Sequence, residues 1–225
     1  FALSDSMRIS KPSLGVVLVR RRIDTPLLVD ALRAGVREVV EERNLAGVND
    51  AVKRVRDVAA AMRQRSNHGE GDDSGRGVVV TVFSAKGGCG KTTLASNLSA
   101  SLADGGRREV CLVDLDLNFG DVAIVLQLFP AHTLADAVPL MENLDLPAVT
   151  APLTPHSPGL SALVAPVEPG SAETVPASLI TTIVGLLREQ FAYVVIDTPP
   201  AFTDHVLAAF DQSDLIALLA TLDIP

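Results

Sequence analysis

Residues Val78–Thr93 read VVVTVFSAKGGCGKTT. A β-branched run over Val78–Val82 leads into a glycine-rich turn, and Lys91-Thr92-Thr93 then opens a segment compatible with a helix. Strand, glycine loop and helix in that order are the setting a phosphate-binding loop requires. Gly87, Gly88 and Gly90 lack Cβ atoms, so the backbone between them is free to take left-handed dihedrals that aim successive N–H groups at phosphate oxygens. A helix starting near Lys91 adds the positive end of its dipole. The spacing predicts that the Lys91 ammonium reaches the β- and γ-phosphates of a nucleotide, while the Thr92 hydroxyl sits on a Mg²⁺ ion bridging them. Lys86, Gly87, Gly88, Cys89, Gly90, Lys91, Thr92 and Thr93 are therefore the expected ATP-binding residues.

Two acidic stations lie downstream. Glu109–Asp114 (EVCLVD) reads as a short apolar strand that runs into Asp114-Leu115-Asp116, and residues i and i+2 of an extended segment share a face. Both carboxylates can thus serve a metal ion, its waters or an attacking water. Tyr193–Asp197 (YVVID) is a second buried-strand run ending in an acid, stopped at once by Thr198-Pro199-Pro200. Asp197 is expected to hold Mg²⁺ through water.

Lys86 stands before the first glycine pair, where an ordinary phosphate loop needs no cation. The pattern KGG-x-GK-T resembles the deviant Walker A loop of the ParA/MinD superfamily. That resemblance implies a nucleotide-sandwich homodimer in which Lys86 reaches the partner's phosphates. It also implies that Asp116 orients the hydrolytic water, with Asp114 a supporting metal-shell group; Lys86, Lys91 and Asp116 are then the catalytic set.

Composition suits an α/β core: 48% of residues are hydrophobic but only 4% aromatic, with no Trp, which favours aliphatic packing. No uninterrupted apolar run approaches the ~18 residues of a membrane span, so a cytoplasmic protein is expected. Cys89 and Cys111 lack metal-ligand spacing and read as a loop residue and a small core side chain.

Ser66–Gly77 (SNHGEGDDSGRG) is polar and glycine-rich and reads as a flexible linker. It separates a basic part, residues 1–65 at +5, from an acidic part at −13, within a whole-chain charge of −8. An acidic ATPase surface argues against DNA as a partner. Lys53, Arg54, Arg56, Arg63 and Arg65 read mainly as solvated helix charge.

Before the linker the pattern predicts β-α-β-α: a strand over Leu14–Val19, Thr25 as N-cap before Pro26–Gly35, a strand over Glu38–Glu42, and a helix over Asn49–Arg65 with Val52, Val55, Val58 and Met62 on one stripe. The segment ALRAGVREVV (Ala31–Val40) resembles the last α-β step of a response-regulator receiver domain. Arg20-Arg21-Arg22 and Val39-Val40-Glu41 stand where a signalling receiver has its Ser/Thr and Lys, so the resemblance implies a degenerate, partial receiver kept for interaction.

A degenerate receiver over 1–65, a linker over 66–77 and a MinD-like ATPase over 78–225 resemble the Flp/Tad pilus assembly ATPases of the CpaE/TadZ type. LVDLDLNFGDVAIVLQL, HTLADAV, GLSALVAP and YVVIDTPPAF carry the likeness. It implies an ATP-dependent dimerisation switch that localises the pilus secretion ATPase and other Tad components at the polar inner face of the membrane, with membrane association left open. It implies further strands beyond Pro225 as well, so residues 78–225 are expected to be a C-terminally incomplete domain. A septum-site or partition ATPase, and a nucleotide-binding scaffold with little turnover, are the alternatives. In fold, the alternation of short apolar strands with segments such as Thr92–Ala103 and Pro176–Gln190 predicts a mostly parallel sheet covered by helices on both faces, with nucleotide at the strand carboxyl ends.

Overall fold

The apolar runs become strands because each is short, rich in Val, Ile and Leu, and buried on both faces, as parallel sheets demand. The computed structural model describes residues 14–66, 76–168 and 170–220, side chains of 59–66 excepted. In chain order the elements are β1 (Gly15–Arg20), α1 (Thr25–Arg33), β2 (Glu38–Glu41), α2 (Leu45–Ser66), β3 (Val78–Phe83), α3 (Lys91–Ala103), β4 (Val110–Asp114), α4 (Val122–Val125), a 3₁₀ segment (Leu134–Asn143), α5 (Leu146–Thr150), β5 (Thr154–Ser157), β6 (Leu160–Leu163), α6 (Ala177–Gln190), β7 (Tyr193–Asp197), α7 (Asp204–Gln212) and β8 (Leu215–Ala220). The strands form one eight-stranded sheet in the order β2-β1-β8-β3-β7-β4-β6-β5. Every neighbouring pair is parallel except β5 with β6. The expected α/β architecture is the one observed.

Alternation along the strands divides the core between two faces. Val80, Val82, Leu112 and Val195 pack with Leu94, Leu98 and Leu102 of α3 and with Val52 and Val55 of α2. Val79, Cys111, Val113, Val194 and Ile196 point the other way, onto Ile183, Val184 and Leu187 of α6. Burying each such aliphatic side chain is worth roughly 1.5–3 kcal/mol against leaving it in water. Burial also pushes the Cys111 thiol far above its usual range, which fits a core side chain.

The N-terminal segment joins this same sheet. β1 pairs with β8 along its length, from Gly15↔Leu215 to Arg20↔Ala220, and β2 adds outside β1. The sequence reading separates residues 1–65 from residues 78–225, but the sheet continues across that division; residues 67–75 of the expected linker lie outside the described ones. The physical reason is that a parallel edge strand offers a row of unpaired backbone groups, and β1 supplies matching ones to β8. Side chains add to the union: Asn49 Nδ2 donates to Ser101 Oγ at 3.0 Å, and Arg56 Nη1 to the Tyr193 hydroxyl at 2.8 Å.

Local details differ from the sequence reading. Asp24, not Thr25, caps α1, its Oδ1 accepting from Leu27 N–H at 2.9 Å, because a cap carboxylate must stand one residue before the first helical one. α2 begins at Leu45, earlier than Asn49. Val52 and Val55 are buried but Val58 is exposed, and the Met62 side chain lies outside the described residues. Two of the basic residues of α2 also meet acids close by in the chain: Arg54 grips Glu38 at 2.8 and 2.6 Å, and Arg56 meets Asp57 at 2.7 Å.

Candidate functional site

β3 and α3 set the loop. β3 is central, so its end at Phe83 is fixed by β7 on one side and β8 on the other. Gly88 (φ +71°) and Gly90 (φ +85°) take the left-handed region. Gly87 does not; a Cβ there meets nothing within 4 Å, so only two of the three glycines are used for their dihedral freedom. Gly90 occupies the N-cap position of α3, and its carbonyl accepts from Leu94 N–H at 2.8 Å. Lys91 is buried, Thr92 is half-buried, and Lys86 and Thr93 are exposed.

The loop borders a cleft of about 490 Å³ lined by Gly87, Gly88, Lys91, Thr92, Asp116 and Phe119 among others. The sequence-predicted Lys91, Thr92 and Asp116 thus come together. Cys89 turns inward and is buried, its thiol 3.9 Å from the Gly87 carbonyl. Its place among the binding residues therefore rests on its backbone.

Asp197 ends β7 beneath the loop. It is 1% exposed, and neither carboxylate oxygen has a hydrogen-bond partner. Desolvation pushes its pKa up to about 6, against the pull of the adjacent Thr92 hydroxyl and the Lys91 ammonium. An unpartnered buried carboxylate beside a hydroxyl and a cation is a costly arrangement that a bound ion or its water would relieve.

Asp114 ends β4 directly opposite, in register with Asp197. One oxygen accepts from Asp116 N–H at 3.0 Å, the other from Val122 N–H at 3.2 Å. Burial first, and then the charge of Asp197, push its pKa up to about 8. Asp114 thereby holds the turn that carries Asp116. Asp116 is half-buried, its pKa raised chiefly by desolvation and held back by the Phe119 N–H, which donates to it at 3.2 Å, and by Lys91.

Sequence reasoning passed over Gly120. A Cβ at that position would lie 2.4 Å from the Ala165 Cβ and 2.6 Å from Asp114 Oδ2, so the turn closes on Asp114 only with glycine there. The Phe-Gly-Asp turn signal after Asn118 was the available clue. Phe119 in the cleft lining, Ile124 on α4 and Phe129 in the loop after α4 are 82%, 73% and 96% exposed.

A parallel sheet with a glycine loop at the end of a central strand, a buried lysine at the next helix start and an acid at the neighbouring strand end defines the class of P-loop NTPases. Within that class, residues 77–158 match the ParA family model, described as NUBPL iron-transfer P-loop NTPase. The septum site-determining protein MinD of Helicobacter pylori is 29% identical over 65% of this chain and 54% of its own length. The cell division ATPase MinD of Pyrococcus furiosus superposes with a TM-score of 0.55 at 26% identity, over 63% of this chain and 58% of that one. A ParA family ATPase from Chlorobium tepidum shares the fold, with a TM-score of 0.61 at 21% identity over 66% and 62% of the two chains. These likenesses support a P-loop NTPase of the ParA/MinD family. The chain spans about half the length of the curated relatives it matches.

Among the described residues no helix is long and apolar enough to cross a membrane.

Proposed function

We propose that the chain is a Mg²⁺-dependent, ATP-binding and ATP-hydrolysing dimerisation switch. The observation that carries this reading is Asp197: a buried carboxylate with both oxygens unpartnered, set against Thr92 and Lys91 at the foot of a glycine loop. The Asp114 carboxylate expected in the metal shell is occupied by the Asp116 and Val122 N–H groups, so a Mg²⁺ ion would take Thr92 and Asp197 from the protein, the rest coming from phosphate and water. Bound there, the ion would neutralise charge developing on the phosphates. Lys91 holds the β- and γ-phosphates, the loop N–H groups cradle them, and Asp116 orients the attacking water. Asp114 acts through Asp116, holding its turn.

The exposed Phe119 and Val125 in the lining of the cleft favour its covering by a second copy, because exposed apolar groups at the rim of a site mark interaction surfaces. Lys86 would then serve the partner's nucleotide. The pilus assembly role rests on the likeness of the sequence to the CpaE/TadZ type, with the Tad secretion ATPase as partner. The alternative of a septum-site ATPase draws on the names of the relatives, MinD among them.

Lys86→Ala decides the switch: it should leave ATP binding by the monomer nearly intact while abolishing ATP-dependent dimerisation and hydrolysis together. Light scattering that still shows an ATP-dependent dimer would remove Lys86 from the interface.

A further inference from the structure

The chain that leaves β7 is fastened at both ends to Val82 and Phe83, where β3 runs out, and both fastenings are made by side chains. At one end the Thr198 hydroxyl donates to the Val82 carbonyl at 2.7 Å, with Thr198 only 1% exposed. At the other the exposed Phe202 lays its ring on Phe83, centroids 4.8 Å apart, and Phe83 in turn meets Phe210 edge-on at 5.2 Å. Between the two fastenings run Pro199 and Pro200, which have no N–H to bind the sheet, and Pro200 lines the phosphate cleft.

Asp197 stands at the head of this segment. On the β4 side its backbone carbonyl accepts from Leu115 N–H at 2.9 Å; on the β3 side the next residue, Thr198, reaches Val82. The residue that carries the unpartnered carboxylate is thus held from both neighbouring strands. Val82 lies opposite Asp197 in register and just before the phosphate loop, so the hydroxyl fixes the spacing between the carboxylate and the loop that carries Lys91 and Thr92. Joining the strands does not require it, since they already pair from Val78↔Tyr193 to Val82↔Asp197. A valine at 198 would suit the end of a buried strand with no polar group to bury. A hydroxyl in its place answers a different need, that of an acid that must meet a metal in one position, where the groups behind a metal ligand set its orientation.

Resting on the nucleotide reading above, we infer that Thr198 is a positioning residue for Mg²⁺: its hydroxyl, tied to Val82, holds Asp197 at the distance from Thr92 and Lys91 at which the ion is bound. Phe202 seconds it by keeping the Pro199-Pro200-Ala201 segment down on the end of β3. Both residues act through Asp197.

Calorimetry of the 225-residue chain with ATP, in the presence and absence of Mg²⁺, tests this. Thr198→Val should weaken ATP binding in Mg²⁺ by about three- to tenfold, the scale of one hydrogen bond, and leave the Mg²⁺-free affinity unchanged. Thr198→Ser, which keeps the hydroxyl, should retain the parent's Mg²⁺ dependence. Lys91→Ala should weaken ATP under both conditions, and if it weakens neither, the nucleotide reading itself fails. If Lys91→Ala behaves as expected while Thr198→Val loses affinity equally with and without the ion, or loses none, the positioning role alone is overturned. A Thr198→Ser protein as weak in Mg²⁺ as Thr198→Val overturns it too, because the hydroxyl is then not what matters. Should Thr198→Val fail to fold, the exposed Phe202 carries the test: Phe202→Ala should lower the affinity in Mg²⁺ by about twofold or more, the scale of one aromatic contact, with the Mg²⁺-free value unchanged. Parent-like Mg²⁺ dependence in that variant overturns the inference.

Discussion

Asp114 and Asp197 stand side by side at the ends of β4 and β7, in register, each 1% exposed, and yet they are built for opposite purposes. The difference lies in the loop that leaves each strand. After β4 the chain turns back as Leu115–Asp121, and the N–H groups of Asp116 and Val122 close on the Asp114 carboxylate. After β7 it continues as Thr198-Pro199-Pro200; the two prolines have no N–H to offer, the Thr198 hydroxyl is engaged with the Val82 carbonyl at 2.7 Å, and the Thr198 N–H pulls on the Asp197 carboxylate without closing a hydrogen bond of good geometry. Asp197 is left with acceptors that no well-formed hydrogen bond takes up, beside Thr92 and Lys91 of the phosphate loop. Identical residues at identical strand positions become a hydrogen-bonded clamp and an acid without a well-formed partner because of the donors their own loops supply.

The largest effect should come from the residue the clamp holds. Asp116→Ala removes the carboxylate we propose orients the water and should lower turnover by about 10²–10⁴-fold, measured as phosphate release, while Mg-ATP binding persists and an ATP-bound dimer accumulates in sedimentation. Loss of nucleotide binding in that variant would instead put Asp116 among the metal ligands and erase its distinction from Asp197.

Next in size is the direct contrast. Asp197→Ala should weaken Mg²⁺-dependent ATP binding by about tenfold or more, a charge-assisted contact's worth, whereas Asp114→Asn should change that affinity little and show itself in lowered turnover through a loosened Asp116 turn. Titrating ATP with and without Mg²⁺ reads both. If Asp114→Asn removes the metal dependence and Asp197→Ala does not, the clamp and the ligand-directed acid have been assigned the wrong way round.

How much of this was legible in the sequence depends on the range of the interaction concerned. The phosphate loop, both acid-terminated strands and the parallel α/β sheet could be read because each is a local pattern: β-branched runs, a glycine spacing, a lysine at a helix start. The fate of Asp114 could not, since it is decided by Val122, eight residues on, and by the closeness of Gly120 to Ala165. The joining of β1 to β8 was equally hidden. Both strands read as buried, but which edges pair is settled by contacts about 200 residues apart in sequence, and such long-range pairing leaves no trace in periodicity.

A pH dependence sharpens the same contrast without any ligand. Asp197 has its pKa raised to about 6, so its carboxyl favours the folded state when protonated: that stabilisation is fully present below the unfolded value near 4 and is lost as pH rises through 6. In the ligand-free protein Asp197→Asn should therefore melt higher than the parent above pH 6, by about 3 kcal/mol at the plateau, and the gap should close toward pH 4. A gap that does not narrow on acidification would mean that Asp197 is not buried as a charge at neutral pH.

The smallest effect tests the fit of the clamp. Gly120→Ala puts a methyl within 2.4–2.6 Å of Ala165 Cβ and Asp114 Oδ2, closer than real carbon contacts allow, and the turn must shift to admit it. Overpacking of this kind typically destabilises by about 1–3 kcal/mol, a few degrees in melting temperature for a chain of this size. The loss should fall on the Asp114 side alone: turnover declines as Asp116 moves, while Mg²⁺-dependent ATP affinity, which we assign to Asp197, holds. Equal stability and turnover in the Gly120→Ala protein would show that the turn closes on Asp114 loosely, and that the two carboxylates differ less than their hydrogen bonds indicate.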